Sequence, residues 1–361
     1  MTSLLGNVAY PRAYYHCDAC HHGWHPTDPE LGLETKRTRG VQEVISLAGV
    51  QEAFAESAER VLHRMSGLNV SASTVERVTE SAGQDVAERR TTKNSIGPQE
   101  EWRWPVDAQG RTTAYVSLDA TGVPQQGDHA GRSDGRMAWV GSVFIPTFHG
   151  NRKMRHVRYV SGLMSLEEVG HQLRHECQQV GLNRAQVTIC LTDGGNGLED
   201  CLTEVVLGGL SAETVTILDF YHCAEHLSEF IGLWIGPDNA EEQASHWRHR
   251  LKHEGGAAIF DELQRLDLTR ASPAVQESHR QLCGYLRSNL HRTDYPTYVE
   301  HGWEIGSGEI ESACKTVVGQ RLKCAGMRWK PPGTTAICQL RALFKSDYPL
   351  WQSYWNPRTV T

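Results

Sequence analysis

The sequence lacks any apolar run near the ~18 residues a membrane helix requires; candidates such as Val205–Leu210 are short. No spanning helix is therefore expected. The N-terminal stretch MTSLLGNVAYPRAYYHC has no basic start followed by an apolar core, so no signal peptide is expected. No internal repeat is evident. Nor is there an excess of positive charge: 36 Lys+Arg stand against 43 Asp+Glu, a formal −7, which by itself speaks against a nucleic-acid partner. With 39% hydrophobic and 22% charged residues, low-complexity and disordered character are also missing. Ten cysteines spread over 361 residues are too dispersed for a secreted disulfide scaffold and read as mostly buried thiols. Only Cys17 and Cys20 stand at metal-ligand spacing. What remains is a soluble cytoplasmic chain of roughly two or three domains.

The first forty residues are irregular and rich in His, Pro and Tyr. From Val41 to Ala87 the pattern is helical. Within Gln51–Met65, Phe54, Ala58, Val61, Leu62 and Met65 recur at three and four and predict one helix. A short turn follows, and Ser73-Thr74-Val75-Glu76 reads as a capping box opening a second helix. Helix, Gly-containing turn and capped helix outline a helix-turn-helix-like pair. Arg90–Arg111, interrupted by Gly97-Pro98 and Trp104-Pro105, reads as a linker.

Beyond it the pattern becomes α/β. Strands are predicted at Thr113–Leu118 (ending in Asp119), Met137–Ile145, His156–Val160, Val187–Leu191 (leading to Asp193) and Thr214–Leu218 (ending in Asp219). Helices are expected from Ser165 to about Val180 and over Leu198–Leu207. A basic run, Arg152-Lys153-Met154-Arg155, precedes the third strand. The order β-β-β-α-β-α-β predicts a mixed sheet rather than an alternating doubly wound one. Ala224 to about Arg292 carries helical signal only, with helices expected at Glu225–Trp234, Glu241–Lys252, Ala257–Leu266 and Pro273–Leu290. The last opens with Ser272 as cap and Pro273 in the first turn. A Gly-rich start, Gly306-Ser307-Gly308, leads into a helix from Glu309 to about Leu322.

Chemistry concentrates in acids. Asp119 and Asp193 each follow an apolar strand and precede small residues, at the edge of an α/β sheet where ligands and metals bind. Either one alone reads more readily as a turn cap, and it is their joint placement on this strand order that favours a site. A third acid, Glu309 or Glu311, opens the last helix. Close carboxylates repel, and hard divalent cations such as Mg²⁺ resolve the repulsion. Two such ions about 4 Å apart support phosphoryl transfer.

Five segments taken together, LDATGVP (Leu118–Pro124), LTDGGNG (Leu191–Gly197), LDFYHCAEHL (Leu218–Leu227), GSGEIESACK (Gly306–Lys315) and RLKCAGMRW (Arg321–Trp329), resemble the DDE transposases of the ISKra4 insertion-sequence family. The resemblance runs from Tyr14 to about Phe344. It implies an RNase H-like core split by an all-helical insertion, and metal-dependent cleavage and strand transfer of insertion-sequence ends. The metal would be Mg²⁺ or Mn²⁺ held by Asp119, Asp193 and one glutamate of GSGEIES. On a helix Glu309 and Glu311 lie about 200° apart and geometry does not choose between them; the family pattern favours Glu311 and leaves Glu309 to the helix N-terminus. Asp219 is the reserve second acid, and His222, in its D-x-x-H, is either a phosphate-positioning or a structural histidine. The resemblance further implies DNA (transposon ends and target) as partner, a homo-oligomer on that DNA, no membrane, and a bacterial, nucleoid-associated location.

Cys17-x2-Cys20 is half of a tetrahedral zinc site, with His16, His21, His22 and His25 nearby. Relatives carry a further cysteine cluster upstream, so an N-terminally truncated, partial zinc-ribbon-like segment with incomplete Zn²⁺ binding is expected. Trp247 is a candidate to stack on an unpaired base or to anchor the insertion's own core. Arg321, Lys323, Arg328 and Trp329 are the candidate DNA surface. Residues 301–361 carry eight Lys+Arg against four acids, leaving the remainder of the chain at −11, so charge distribution no longer excludes DNA. The expected division is 1–40 zinc-ribbon-like, 41–92 helical DNA-binding, 93–111 linker, 112–223 first part of the core, 224–300 insertion, 301–345 catalytic-glutamate segment and 346–361 tail. The rival functions are an RNase H-fold nuclease without joining activity and a non-catalytic, transposase-derived DNA-binding protein.

Overall fold

The computed structural model describes residues 1–28, 36–127, 133–146 and 156–356. The chain forms two units: one of Gln99–Gly122 and Met137–Thr316, the other of Met1–Pro98, Val123–Arg136 and Val317–Thr361. The basic run Arg152–Arg155 lies outside the described residues. No helix among the described residues is long and apolar enough to cross a membrane.

The chain's main sheet has five strands, β1 (Thr113–Gln126), β2 (Ser133–Phe144), β3 (Val157–Gly162), β4 (Val187–Thr192) and β5 (Thr214–Leu218), of which all but Val123–Gln126 and Ser133–Arg136 fall in the first unit. Their order is β3-β2-β1-β4-β5. β2 and β3 pair antiparallel, whereas β4 runs parallel to both β1 and β5. Every residue of β3 and β4 is buried, which explains why both read as continuous apolar runs. β1 does not stop at Asp119: it continues to Gln126, so that carboxylate leaves mid-strand. Helix α1 (Leu166–Gln179) packs on the sheet and opens with a true capping box, in which Ser165 and Glu168 cap each other.

The segment read as a linker is part of this core. Trp102 and Trp104 are buried among Leu173, Val180 and Leu182, and the Trp104 indole N–H donates to the Gly181 carbonyl at 3.1 Å. A polar stretch with two tryptophans carries enough apolar area to pack, whatever its average polarity.

The helical block of this unit comprises α2 (Phe220–Ile235), α3 (Pro237–Arg265) and α4 (Pro273–Asn289). α3 is broken at Gly255, whose φ of 85° no β-carbon tolerates easily, so the two helices expected there are distinct. Ser272 caps α4 and Pro273 occupies its first turn, as expected. Trp247 is 1% exposed and packs edge-on against Trp234. It is a core residue of the block, as one of its two expected roles had it, and offers no face to a base, which corrects the other role as a DNA contact.

The second unit is mainly helical: α5 (Arg39–Gln51), α6 (Ala72–Thr91), α7 (Pro331–Lys345) and α8 (Tyr348–Trp355). Two expectations change here. The helix predicted over Gln51–Met65 is interrupted: α5 ends at Gln51, Ala53 is extended, and Ser57–Ser66 winds as a π-helix. The wider i→i+5 winding rotates the apolar row, so Ala58 and Leu62 are buried while Met65 is 83% exposed. The cap of α6 is Ser71, which accepts from the Thr74 N–H; Ser73 lies within the first turn, so the Ser73–Glu76 box does not form. Gly83 lets α6 approach α7 closely, since a β-carbon there would meet the Ala336 carbonyl oxygen at 2.1 Å. The tail is no appendage either, because Leu350, Trp351, Tyr354 and Trp355 are buried against Val86 and Leu340.

At the N-terminus, Tyr15–His16 and Gly23–Trp24 form a two-stranded ribbon closed by the Cys17–Cys20 turn. Hydrogen bonds from Cys20 hold the Cys17 thiol below its ordinary range. The two cysteines thus meet, while His16 faces Asp18 at 3.2 Å and His25 bonds the Ala13 carbonyl. Two thiols are half a tetrahedral set, and no third metal-binding group joins them among the described residues.

Candidate active site

Strand register places the first two acids. β1 and β4 pair residue n with n+74, through Ser117↔Leu191. Two residues further, the same offset aligns Asp119 with Asp193. β4 and β5 pair n with n+26, through Thr192↔Leu218, and one step on this aligns Asp193 with Asp219. Three aspartates therefore share one row of the sheet: Asp193 and Asp219 directly follow the carboxyl ends of β4 and β5, where backbone amides and loops leave room for ligands, and Asp119 is level with them within β1.

They do not have the same role. Asp219 is 0% exposed. Its Oδ1 accepts from the backbone N–H of Tyr221 at 2.6 Å and of His222 at 3.0 Å, capping α2. Its Oδ2 accepts from the Ser307 N–H at 2.8 Å and from the Ser307 hydroxyl. A carboxylate with four donors on its two oxygens is committed to structure. Asp219 ties β5, α2 and the approach to Glu309 and Glu311 together, and it is not the second acid of a metal set.

Asp193 is half-buried and opens the turn Gly194-Gly195; its Oδ1 accepts from the Gly195 N–H at 2.9 Å, and Gly194 takes φ 93°. Asp119 is also half-buried, with Oδ1 accepting from the Ala120 N–H at 2.6 Å. Burial first, and then the charges of Asp193 and Glu311, hold the Asp119 carboxyl above its ordinary range. The three acids named from sequence are thus brought within electrostatic reach of one another.

The choice between the two glutamates becomes geometric. They sit in α9 (Gly308–Ala313). Glu309 accepts a 2.5 Å hydrogen bond from the Tyr159 hydroxyl of β3, whereas Glu311 is exposed and acts on Asp119. One turn on, the Cys314 thiol donates to Asp119 Oδ2 at 3.5 Å, where the helix relaxes into π winding over Cys314–Gly319.

Several residues of the site had no signal of their own in sequence. The Tyr285 hydroxyl of α4 donates to the Asp193 carbonyl at 3.2 Å. His226 packs on Tyr285 with ring centres 4.7 Å apart, and His222 on His226 at 4.6 Å. His222 is therefore near Asp193 through Tyr285, with Glu225 3.7 Å from its Nδ1. Buried Arg292 donates to the Thr192 hydroxyl at 2.8 Å, fixing the residue before Asp193, and pairs with Glu199 at 3.6 Å. Only spacing from a recognised acid, as with Cys314 three residues after Glu311, could have flagged any of these.

An all-carboxylate set suits a hard cation better than a soft one. The mutual charge on Asp119 is the observation that fits such an ion, although no three ligands converge as a finished cage among the described residues. In the other unit, Arg321 is 1% exposed, donating to the Gly49 carbonyl at 2.9 Å, and Trp329 is buried. Neither forms an open DNA surface; of the four residues expected there, Lys323 and Arg328 are exposed. No family model matches the chain, and no curated protein is found to match it.

Proposed function

We propose that the chain is a DDE DNA transposase like those of the ISKra4 insertion-sequence family, cleaving element ends and joining the freed 3′ hydroxyl to target DNA. The observation that supports this reading is that Asp193 and Glu311, 74 and 192 residues beyond Asp119 in sequence, both act by charge on the Asp119 carboxyl, with the β1–β4 offset of 74 residues bringing Asp119 level with Asp193. The strand order β3-β2-β1-β4-β5, with the helical block between β5 and α9, supports an RNase H-like core with an insertion. The helices α5 and α6 are the proposed end-recognition pair, and a homo-oligomer on DNA is the proposed working form.

Asp119, Asp193 and Glu311 would hold Mg²⁺ or Mn²⁺. Such ions, when bound, activate the attacking oxygen and stabilise the leaving one. The protein's own contribution is positional. Register fixes two carboxylates at one level, Asp219 anchors Ser307 ahead of the third, and Tyr285 and Arg292 hold the backbone around Asp193.

The test is cleavage and strand transfer of the element's own ends in Mg²⁺, with and without Asp119→Ala. We expect Asp119→Ala to abolish both. Cleavage that survives the substitution overturns the site assignment. Cleavage without joining of 3′-OH ends selects the nuclease, and absence of any divalent-ion-dependent cleavage by the intact chain selects the non-catalytic DNA-binding protein.

A further inference from the structure

The mainly helical unit contains a cavity of about 660 Å³ whose walls include Phe54, Glu76, Glu80, Arg321, Arg328 and Trp329. Its size is within the roughly 300–1,000 Å³ of small-molecule sites, and its walls carry both signs of charge. Glu76 and Glu80 are one turn apart on α6 and so share a face. Burial, then the Glu76 charge, holds the Glu80 carboxyl above its ordinary range against the opposing pull of Lys330, and the carboxyl oxygens of the pair accept from N–H donors.

Arg321 supplies the opposite character. Its guanidinium lies between Phe54 and Trp329, 4.6 and 4.9 Å from the ring centres. Nε is spent on the Gly49 carbonyl, and Nη1 meets only the Met327 sulfur, a weak acceptor, at 3.5 Å. Nη2 is buried with no hydrogen-bond partner among the described residues. A buried cation with an unused donor is costly, and an anionic group placed beside it recovers that cost. Exposed Arg328 and Lys330 add positive charge at the same cavity.

We propose that this cavity binds a single unpaired nucleotide, with its phosphate on Arg321, Arg328 and Lys330, and the amino-bearing edge of its base on Glu76 and Glu80. The proposal stands apart from strand cleavage, because binding needs neither the acid row nor a divalent ion.

Calorimetry of the full chain in chelator with dGMP, dCMP, dAMP and dTMP tests it. The three amino-bearing nucleotides should bind, and dTMP should bind at least about tenfold more weakly, because it leaves a polar edge unpaired. Glu76→Gln, at an exposed position that leaves folding intact, should erase that preference. Arg328→Ala should weaken all four by a common factor of roughly five to ten, as the loss of a phosphate contact does. A single-stranded oligonucleotide that binds more tightly than its mononucleotide identifies a DNA strand as the source; equal affinity identifies the free nucleotide. Failure of all four to bind, or equal affinity for dTMP and the others, overturns the proposal whatever the cleavage assay shows.

Discussion

The acids at the edge of the sheet and the basic residues of Arg321–Trp329 both stand out in sequence as functional, and the structure treats them differently. Asp119 and Asp193 stay half-buried and level in the sheet, and the charges of Asp193 and of exposed Glu311 act on the Asp119 carboxyl. Arg321 turns inward, between two rings, with its N–H groups on a backbone carbonyl and a sulfur. Arg341 does likewise, donating to the Val317 carbonyl at 2.6 Å and to that of Val50. A strand end delivers its carboxylate wherever the ladder register puts it. A long guanidinium stem can instead reach back and be buried, so the position of its Cα says little about where its charge ends up.

Glu311→Gln against Glu309→Gln puts the sharpest pressure on that contrast. We expect the first to lower Mg²⁺-dependent cleavage by about a thousandfold or more and the second far less, since an essential charge-stabilising group contributes on that scale. Equal losses in a cleavage assay would show that the two glutamates act together.

Next in size is Arg321→Ala, which should cost about 2–4 kcal/mol in urea unfolding by opening a buried site, while Arg328→Ala should stay within about 0.5 kcal/mol. Similar values for the two would mean that Arg321 is not buried as described. Gly83→Ala should cost about 1–3 kcal/mol through overpacking of α6 on α7, again read from urea midpoints; the half-buried helical counterpart Gly232→Ala, with nothing near its would-be β-carbon, should not destabilise.

The smallest effect expected is on stability at the acid row itself. Because the folded-state pKa of Asp119 is raised, its ionisation opposes folding once pH exceeds its unfolded value near 4, and the penalty is complete above the folded value. Asp119→Asn should therefore raise Tm by about 2 °C at pH 7 and by less at pH 4. A Tm that falls at pH 7 would mean that the carboxylate is a structural cap like Asp219.

Much of this was legible because it depends on local pattern. Thr214–Leu218 is a strand with the expected bounds, the helix expected from Ser165 begins there, Ser272 caps the helix it was expected to cap, and the Gly255 break separates two periodic runs. Ser71 displaced Ser73 as a cap because either serine meets the local rule, and only the helix's packed position selects one. Trp102 and Trp104 were misplaced, and Trp247 was left between base stacking and the core, because an aromatic in a polar stretch has the same sequence signature whether it faces solvent or core.

The sequence by itself determined the strands, the helical block and the three acids, since period-two and period-3.6 patterns and strand-end carboxylates are local properties. Only the tertiary structure decided that the offset of 74 residues puts Asp119 level with Asp193, that Asp219 is consumed by Ser307 and a helix end, and that Tyr159 claims Glu309 while the Glu311 charge acts on Asp119. Those choices depend on which hydrogen-bond donors arrive from distant segments, and no local pattern encodes the arrival.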